Sequence, residues 1–234
     1  WIDPYLTHQW DSPLLQRLQA TGEKLTPWGK TYAVFKYQPQ VLYVGNSRTH
    51  WGLPPDPHLF GGRRVFNGAM AGASLGDAIS MLKHARTVTK LDTVVWGVDY
   101  WGFSFEGAHP DFAQELVAVD RFYVLYRPLL DLKRSLTFDM ISDSIHLLSG
   151  RTEKVCRSSL ALHGQRDEAC ITANLSDRGG VDKALIKDVR ATKGVNVRMS
   201  EALPAFRSEL GRLCQADVHI MVYVNPLHSL TLEN

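Results

Sequence analysis

The sequence predicts an α/β protein built on a mostly parallel sheet. Two observations carry that expectation. Short β-branched and aromatic runs end abruptly at small polar residues, and apolar residues recur at helical spacing between the second and third of these runs. A continuous apolar run reads as a strand buried on both faces, and strands alternating with helices are what a parallel sheet requires.

The elements follow in order. Trp1 to Gln40 forms a leading segment in which Asp3-Pro4 and Ser12-Pro13 are turn or helix-start signals and Leu14, Leu15 and Leu18 share a helical face. It is expected to pack across the core. Val41-Leu42-Tyr43-Val44 is the first strand and stops at Gly45-Asn46-Ser47-Arg48-Thr49. A proline-rich loop, Gly52 to Pro57, and Gly61-Gly62 lead to a second strand, Arg64-Val65-Phe66-Asn67, which ends in the small-residue turn Gly68 to Ser74. Leu75, Ile79, Leu82 and Ala85 place a helix over Leu75 to Thr87, and Asp92 to Asp99 is the third strand.

Beyond Gly102 the pattern turns helical as far as Gly150. Phe112, Leu116, Val119 and Tyr123 share one face, and Leu132, Leu136, Met140 and Ile141 suggest another. This is read as a helical insertion after the third strand, covering the sheet edge or forming a lid. Arg151 to Val197 is polar, with a turn at Asp177-Arg178-Gly179-Gly180, and reads as a long excursion; such loops are usually functional or disordered. Leu203, Phe206, Leu210 and Leu213 mark a helix over Glu201 to Cys214, and Val218 to Val224 is the fourth strand, ending in Asn225-Pro226-Leu227-His228. The 234 residues suit one α/β domain carrying an insertion over about 102–200.

Composition narrows the class of function. Hydrophobic residues make up 44% and charged residues 21%, which is globular usage and not that of a disordered or collagen-like chain. A formal net charge of +2 gives no case for a nucleic-acid partner, and no run of like charge marks a membrane patch. No stretch approaches the roughly 18 apolar residues that span a bilayer. The chain starts at Trp1 without an initiating Met, which leaves room for a signal peptide or anchor upstream, and Ser229 to Asn234 reads like the opening of a helix. Cys156, Cys170 and Cys214 match neither a zinc site nor a redox Cys-x-x-Cys; Cys156 and Cys170 flank a polar segment and are either bonded, in an oxidising compartment, or free.

Four polar clusters fall at strand ends: Asn46-Ser47-Arg48, Asn67 with Gly72, Asp99-Tyr100-Trp101, and Asn225 with His228. In a parallel sheet the carboxyl ends share one rim, where open α/β folds bind their ligands. The plainer alternative is that Asn, Gly, Asp and Ser are turn formers doing that job alone. On the first view Ser47 is the leading candidate nucleophile.

Gly45-Asn46-Ser47 resembles the first block of the SGNH (GDSL-type) hydrolases, with Asn where many members have Asp, and Asn67 to Ser74 is similar to their second block. The resemblance covers roughly Tyr37 to Phe103 plus the last strand, and it implies a flavodoxin-like three-layer SGNH fold. It also implies that Ser47 is the nucleophile and that the Ser47 and Gly72 backbone N–H groups line the oxyanion hole. The third block departs from the family. Gly97-Val98-Asp99-Tyr100 puts Asp99 where an asparagine donates to the oxyanion, and an ionised carboxylate has no proton to donate. Either Asp99 has another job or the hole is built from backbone groups. This departure, the Ser-Arg after the first strand and the Trp-Ile-Asp-Pro-Tyr start together resemble extracytoplasmic SGNH-like proteins of bacterial exopolysaccharide systems, relatives of the alginate O-acetylation proteins.

A serine nucleophile needs a base and a carboxylate to orient it. The resemblance places both in an Asp-x-x-His after a fifth strand, which would lie beyond Asn234. Within the chain that spacing occurs at Asp143-Ser144-Ile145-His146, and Glu106-Gly107-Ala108-His109 echoes it, but chance produces such matches. Asp143 and His146 also precede the fourth strand, the wrong place in the topology. His228 either lines the rim or is a polar loop residue. His50 follows Ser47 by three positions and reads as a loop or substrate-contact residue.

Arg48 has two readings: holding a carboxylate or sugar hydroxyls through its planar fork, or pairing with Asp99 to order the rim, which the sequence favours. Trp51, Tyr100, Trp101 and Phe103 follow the first and third strands and either stack on sugar rings or pack the core and lid. The expected protein is a periplasmic SGNH-like O-acetyltransferase or acetylesterase with a polysaccharide or acyl-sugar substrate. Its expected partner is membrane-associated exopolysaccharide machinery, a segment upstream of Trp1 is the expected place of any membrane anchor, and the resemblance implies no metal or organic cofactor. The competing expectation is an inactive binding or assembly module of the same fold. A third, that the Asn46-Ser47-Arg48 turn and the Gly-rich loop cradle a phosphate, is opposed by the lack of a Gly-x-x-x-x-Gly-Lys motif.

Overall fold

The computed structural model of the protein describes residues 26–103, 110–149, 162–177, 179–180, 183, 186 and 202–225. Helix α1 (Thr26–Tyr37) leads into β1 (Val41–Val44), the short α2 (Ser47–Gly52), β2 (Val65–Asn67), α3 (Leu75–Val88) and β3 (Thr93–Val98). Then come α4 (Tyr123–Ser135), α5 (Phe138–Leu148), α6 (Glu168–Asp177), α7 (Ala202–Gln215) and β4 (His219–Val224). The sheet is wholly parallel in the order β2-β1-β3-β4, an α/β arrangement of the flavodoxin-like kind. From β1 the chain first moves outward to β2 and then returns to the other side for β3, so the strand order reverses between β1 and β3. Crevices at such switch points are the binding places of open α/β sheets.

The first three strands are buried along their whole length, which is why their sequences are continuous apolar runs with no alternation. Their side chains divide between two cores. Leu42, Val44, Phe66, Val94, Trp96 and Val98 face α1, α3 and α7. The opposite face is smaller, with Val41, Tyr43, Val65 and Val95 packing on Phe60 and Leu53. Trp96 meets Phe206 of α7 edge-on, with centroids 4.7 Å apart, and this contact ties the last helix to the middle of the sheet. Helix α3 starts at a capping box: Ser74 Oγ accepts from the Asp77 N–H while the Asp77 carboxylate accepts from the Ser74 N–H, a motif worth about 1 kcal/mol.

Two readings of the helical insertion need correction. The shared face of Phe112, Leu116, Val119 and Tyr123 is not an α-helix: the chain makes one 3₁₀ turn at Gln114–Leu116, and α4 begins only at Tyr123. Side chains of α3 capture the backbone here. Asp77 Oδ1 accepts from the N–H groups of Asp111 and Phe112, and His84 Nδ1 accepts from that of Ala118, which draws Leu116, Val117 and Ala118 into the core. Leu132 and Met140 belong to separate helices, because Thr137 caps a new start and its hydroxyl accepts from the Met140 N–H at 3.4 Å.

Within the polar excursion, the described residues 162–177 are ordered against the sheet. They contain α6, and ahead of that helix His163 O accepts the Asn67 N–H at 2.7 Å, docking the segment on the outer strand β2. Residues 1–25, with the Ser12-Pro13 and Leu14 to Leu18 signals, lie outside the described residues.

Candidate functional site

The turn from β1 into α2 is built around close backbone approach. Gly45 has φ +147°, and a Cβ there would lie 2.3 Å from Thr49 Oγ1 and 2.7 Å from Gly97 O, so no larger residue fits. Gly97 on β3 is equally confined, since its Cβ would lie 2.0 Å from Thr49 Oγ1. These two glycines let α2 start directly over the β1–β3 seam. Asn46 is the N-cap, its Oδ1 accepting the Arg48 N–H at 3.0 Å. Ser47 is therefore the first residue of α2, partly exposed at the switch point. Among the described residues its hydroxyl makes no hydrogen bond. The N–H groups of a first helical turn have no partner within the helix, so the Ser47 N–H is open to an acceptor.

Asp99, at the end of β3, turns inward. Its Oδ1 lies 3.2 Å from Arg48 Nη1, its Oδ2 accepts from Asn46 Nδ2, and only 5% of its side chain is exposed. The carboxylate thus joins the N-cap and the following arginine into one unit, and both its oxygens are occupied. The Gly68–Ser74 loop is laced to β1 by Gly68 N–H donating to Tyr43 O at 2.9 Å and Met70 N–H to Gly45 O at 3.1 Å. This brings the exposed, left-handed Gly72 (φ +75°) to the same rim. A cavity of about 30 Å³ lies among Gly45, Asn46, Ser74, Trp96, Gly97 and Asp99. A larger one of about 240 Å³ opens beside Gly72, Pro27, Asp77 and Phe112.

Asn67 does not stand free at the rim. It is fully buried, with Oδ1 accepting the Ala69 N–H at 3.0 Å and Nδ2 donating to Gln165 Oε1 at 2.8 Å, so it shapes the second loop. His50, expected in a loop or against substrate, is instead a residue of α2 and is fully buried. Desolvation first, and the nearby Lys30 second, push its pKa down to about 2, against a hydrogen bond to the Gly164 backbone. A ring so placed is neutral and shielded, not a base for Ser47. Among the described residues no histidine hydrogen-bonds to Ser47: His84 bonds Thr31 O and the Ala118 N–H, His163 bonds the Tyr37 hydroxyl, and His146 is exposed near the end of α5. Glu106, His109 and His228 lie outside the described residues, as does Cys156, and the side chains of Trp101 and Cys170 are not described; Cys214 is a free, exposed thiol. Phe103 packs on Phe206 and belongs to the core, whereas Tyr100 and Trp51 are about half exposed, at 46% and 45%.

Two residues in and under the site, Lys30 and Arg166, carried no mark in the sequence. Lys30 is buried on α1 and its Nζ donates to the carbonyls of Asn67, Ala69 and Gly164 at 2.8, 2.5 and 3.1 Å. Burial lowers its pKa well below the ordinary lysine value. Arg166 lies over the Trp51 ring, 5.1 Å from its centroid. Asn225 ends β4 beside Val98, buried, with its N–H donating to Val98 O at 2.9 Å.

Fold and site define the class: an open parallel α/β protein with a serine on a strand-to-helix turn at the switch point of its sheet. No protein-family model matches the chain, and neither a curated protein nor a solved structure matches it at a significant level.

Proposed function

We propose that the protein is an SGNH-like serine acyl-transfer enzyme, an O-acetyltransferase or acetylesterase acting on an acetylated bacterial polysaccharide. The observation that carries this reading is the position of Ser47: first residue of α2, at the switch point, beside the Gly72 loop and clear of any hydrogen bond among the described residues. Ser47 Oγ passes its proton to a base and attacks the acyl carbonyl while the Ser47 and Gly72 N–H groups hold the oxyanion. Collapse breaks the ester C–O bond and expels the sugar oxygen, which takes up that proton, and water or a second sugar hydroxyl then cleaves the acyl-serine ester and restores the Ser47 hydroxyl. Asp99 takes no part in the hole. It fixes Arg48 and the Asn46 cap, which answers the objection that a carboxylate at this position repels the oxyanion. Extracytoplasmic location and association with membrane exopolysaccharide machinery belong to the same proposal; among the described residues no helix is long and apolar enough to cross a membrane.

A second reading, a non-catalytic binding or assembly module, is favoured by one observation: no histidine among the described residues hydrogen-bonds to Ser47, His50 of the same helix being buried and neutral. A serine-directed fluorophosphonate separates the two. The enzyme reading expects a covalent adduct on the full-length protein, mapped by peptide mass to Ser47; adduct-free Ser47 under conditions that label a control esterase supports the binding module.

A further inference from the structure

We propose that the cleft between α2 and α6 is a subsite for a pyranose ring of a neutral glycan. The cleft has a volume of about 600 Å³, within the roughly 300–1,000 Å³ range of ligand pockets. One wall is Trp51 with Pro54 and Pro55, and the other is formed by Gln165, Arg166 and Thr172. Trp51 supplies a flat apolar surface that is 45% exposed, with the Arg166 guanidinium over it. Flat rings flanked by polar groups suit the faces of pyranoses, whose axial C–H groups are apolar and whose rim is hydroxylated. The charges in the cleft are of both signs, Arg166 against Asp167 and Glu168, so no net field selects an anion.

The second wall is fixed from below by buried polar groups. Lys30 Nζ holds Gly164 O, Asn67 N–H holds His163 O, and the Tyr37 hydroxyl bonds His163 Nδ1 at 2.9 Å. Gln165 ties both walls together, accepting from Asn67 Nδ2 and donating to Trp51 O at 3.3 Å. Gly164 must be glycine here, since it has φ +80° and its Cβ would lie 2.5 Å from Asn67 O. Such support pre-forms a recess. Trp51 follows Ser47 by one helical turn, and residues at this spacing lie on one face with Cβ atoms roughly 5–6 Å apart. A ring on Trp51 therefore places its acylated substituent toward Ser47, a purpose that rests on the acyl-transfer reading, although the binding itself does not.

The test is ¹⁹F NMR of the full chain labelled with 5-fluorotryptophan, the Trp51 resonance assigned by Trp51→Phe. The probes are neutral hexasaccharides of glucose, mannose, galactose and xylose, and a hexauronate at the same concentration. The expected result is a saturable shift of the Trp51 resonance with at least one neutral probe, weakened several-fold in Arg166→Gln. A Trp51 resonance that responds only to the hexauronate, or to no probe at millimolar concentration, overturns the proposal. A response without Ser47-dependent esterase activity leaves the subsite standing and removes the acyl-transfer reading; esterase activity with a silent Trp51 does the reverse.

Discussion

Arg48 Nη1 lies 3.2 Å from Asp99 Oδ1 while Asn46 donates to the second oxygen of the same carboxylate, so one buried acid holds both the cap and the second residue of α2. Removing it leaves the Asn46 amide donor without its partner in a largely buried setting. Asp99→Ala is expected to lower unfolding stability by about 1–3 kcal/mol. Arg48 is 29% exposed, so its own share is small, and a double-mutant cycle of Asp99→Ala with Arg48→Ala should give a coupling of about 1 kcal/mol or less. Urea unfolding of the four proteins measures both quantities.

Gly97 and Thr49 set the distance between β3 and α2. Gly97→Ala drives a methyl into Thr49 Oγ1 and toward the Tyr223 hydroxyl, which would lie 2.7 Å away, and overpacking of this kind costs about 1–3 kcal/mol. Because the nearest clash is with Thr49, the added change Thr49→Ala should recover part of the loss. Thermal unfolding of the single and double variants checks this; a double variant less stable than Gly97→Ala alone would show that the spacing is set elsewhere.

Lys30 is expected to hold the 162–166 segment against the sheet. Lys30→Met keeps the bulk and deletes three donors, leaving the carbonyls of Asn67, Ala69 and Gly164 to find others. Stability should fall by more than about 2 kcal/mol. Amide exchange should also rise across Gly164 to Arg166, and unchanged exchange there would mean that the segment is held by other contacts.

Stability should also fall with acid before the carboxylates titrate. Burial lowers the pKa of His50 to about 2 and that of His84 to about 4, where a bond to Thr31 O opposes the shift and Arg127 adds to it. Protonating His84 also destroys the acceptor that Nδ1 offers to the Ala118 N–H. Both rings are neutral in the fold, while in the unfolded chain each binds a proton below about pH 6.5. The contribution is therefore whole above about pH 6.5 and is lost as pH falls toward the folded pKa values. Each ring adds a slope of about 1.4 kcal/mol per pH unit within its window. Urea titrations between pH 7 and 4 should show the slope, reduced by about half in His84→Gln.

The first three strands were legible because burial on both faces leaves mainly apolar residues between polar ends, whereas β4, exposed over much of its length, was legible from its β-branched and aromatic run alone. Helices α3 and α7 were legible because Leu75, Ile79, Leu82 and Ala85, and Phe206, Leu210 and Leu213, recur at helical spacing and pack into the core. Phe112 to Tyr123 carries a similar spacing and yet is largely irregular, because Asp77 and His84 supply the acceptors its N–H groups would otherwise seek within a helix. No local pattern displays a partner on another element. The same holds for the 162–166 segment, anchored by Lys30 and Asn67 through polar bonds that leave no periodicity. In the site, the serine turn and the Arg48–Asp99 pairing were readable from residues next to strand ends. Arg166 was not, because only the docking of its segment brings it over Trp51.

The central claim is that Ser47 is a nucleophile. The direct measurement is hydrolysis of 4-nitrophenyl acetate by the full-length protein and its Ser47→Ala variant at pH 7.5, after circular dichroism has shown both to be folded alike. The account predicts a rate above the buffer background that falls at least about a hundredfold in Ser47→Ala, as loss of an attacking group demands. Equal rates for the two proteins would contradict it.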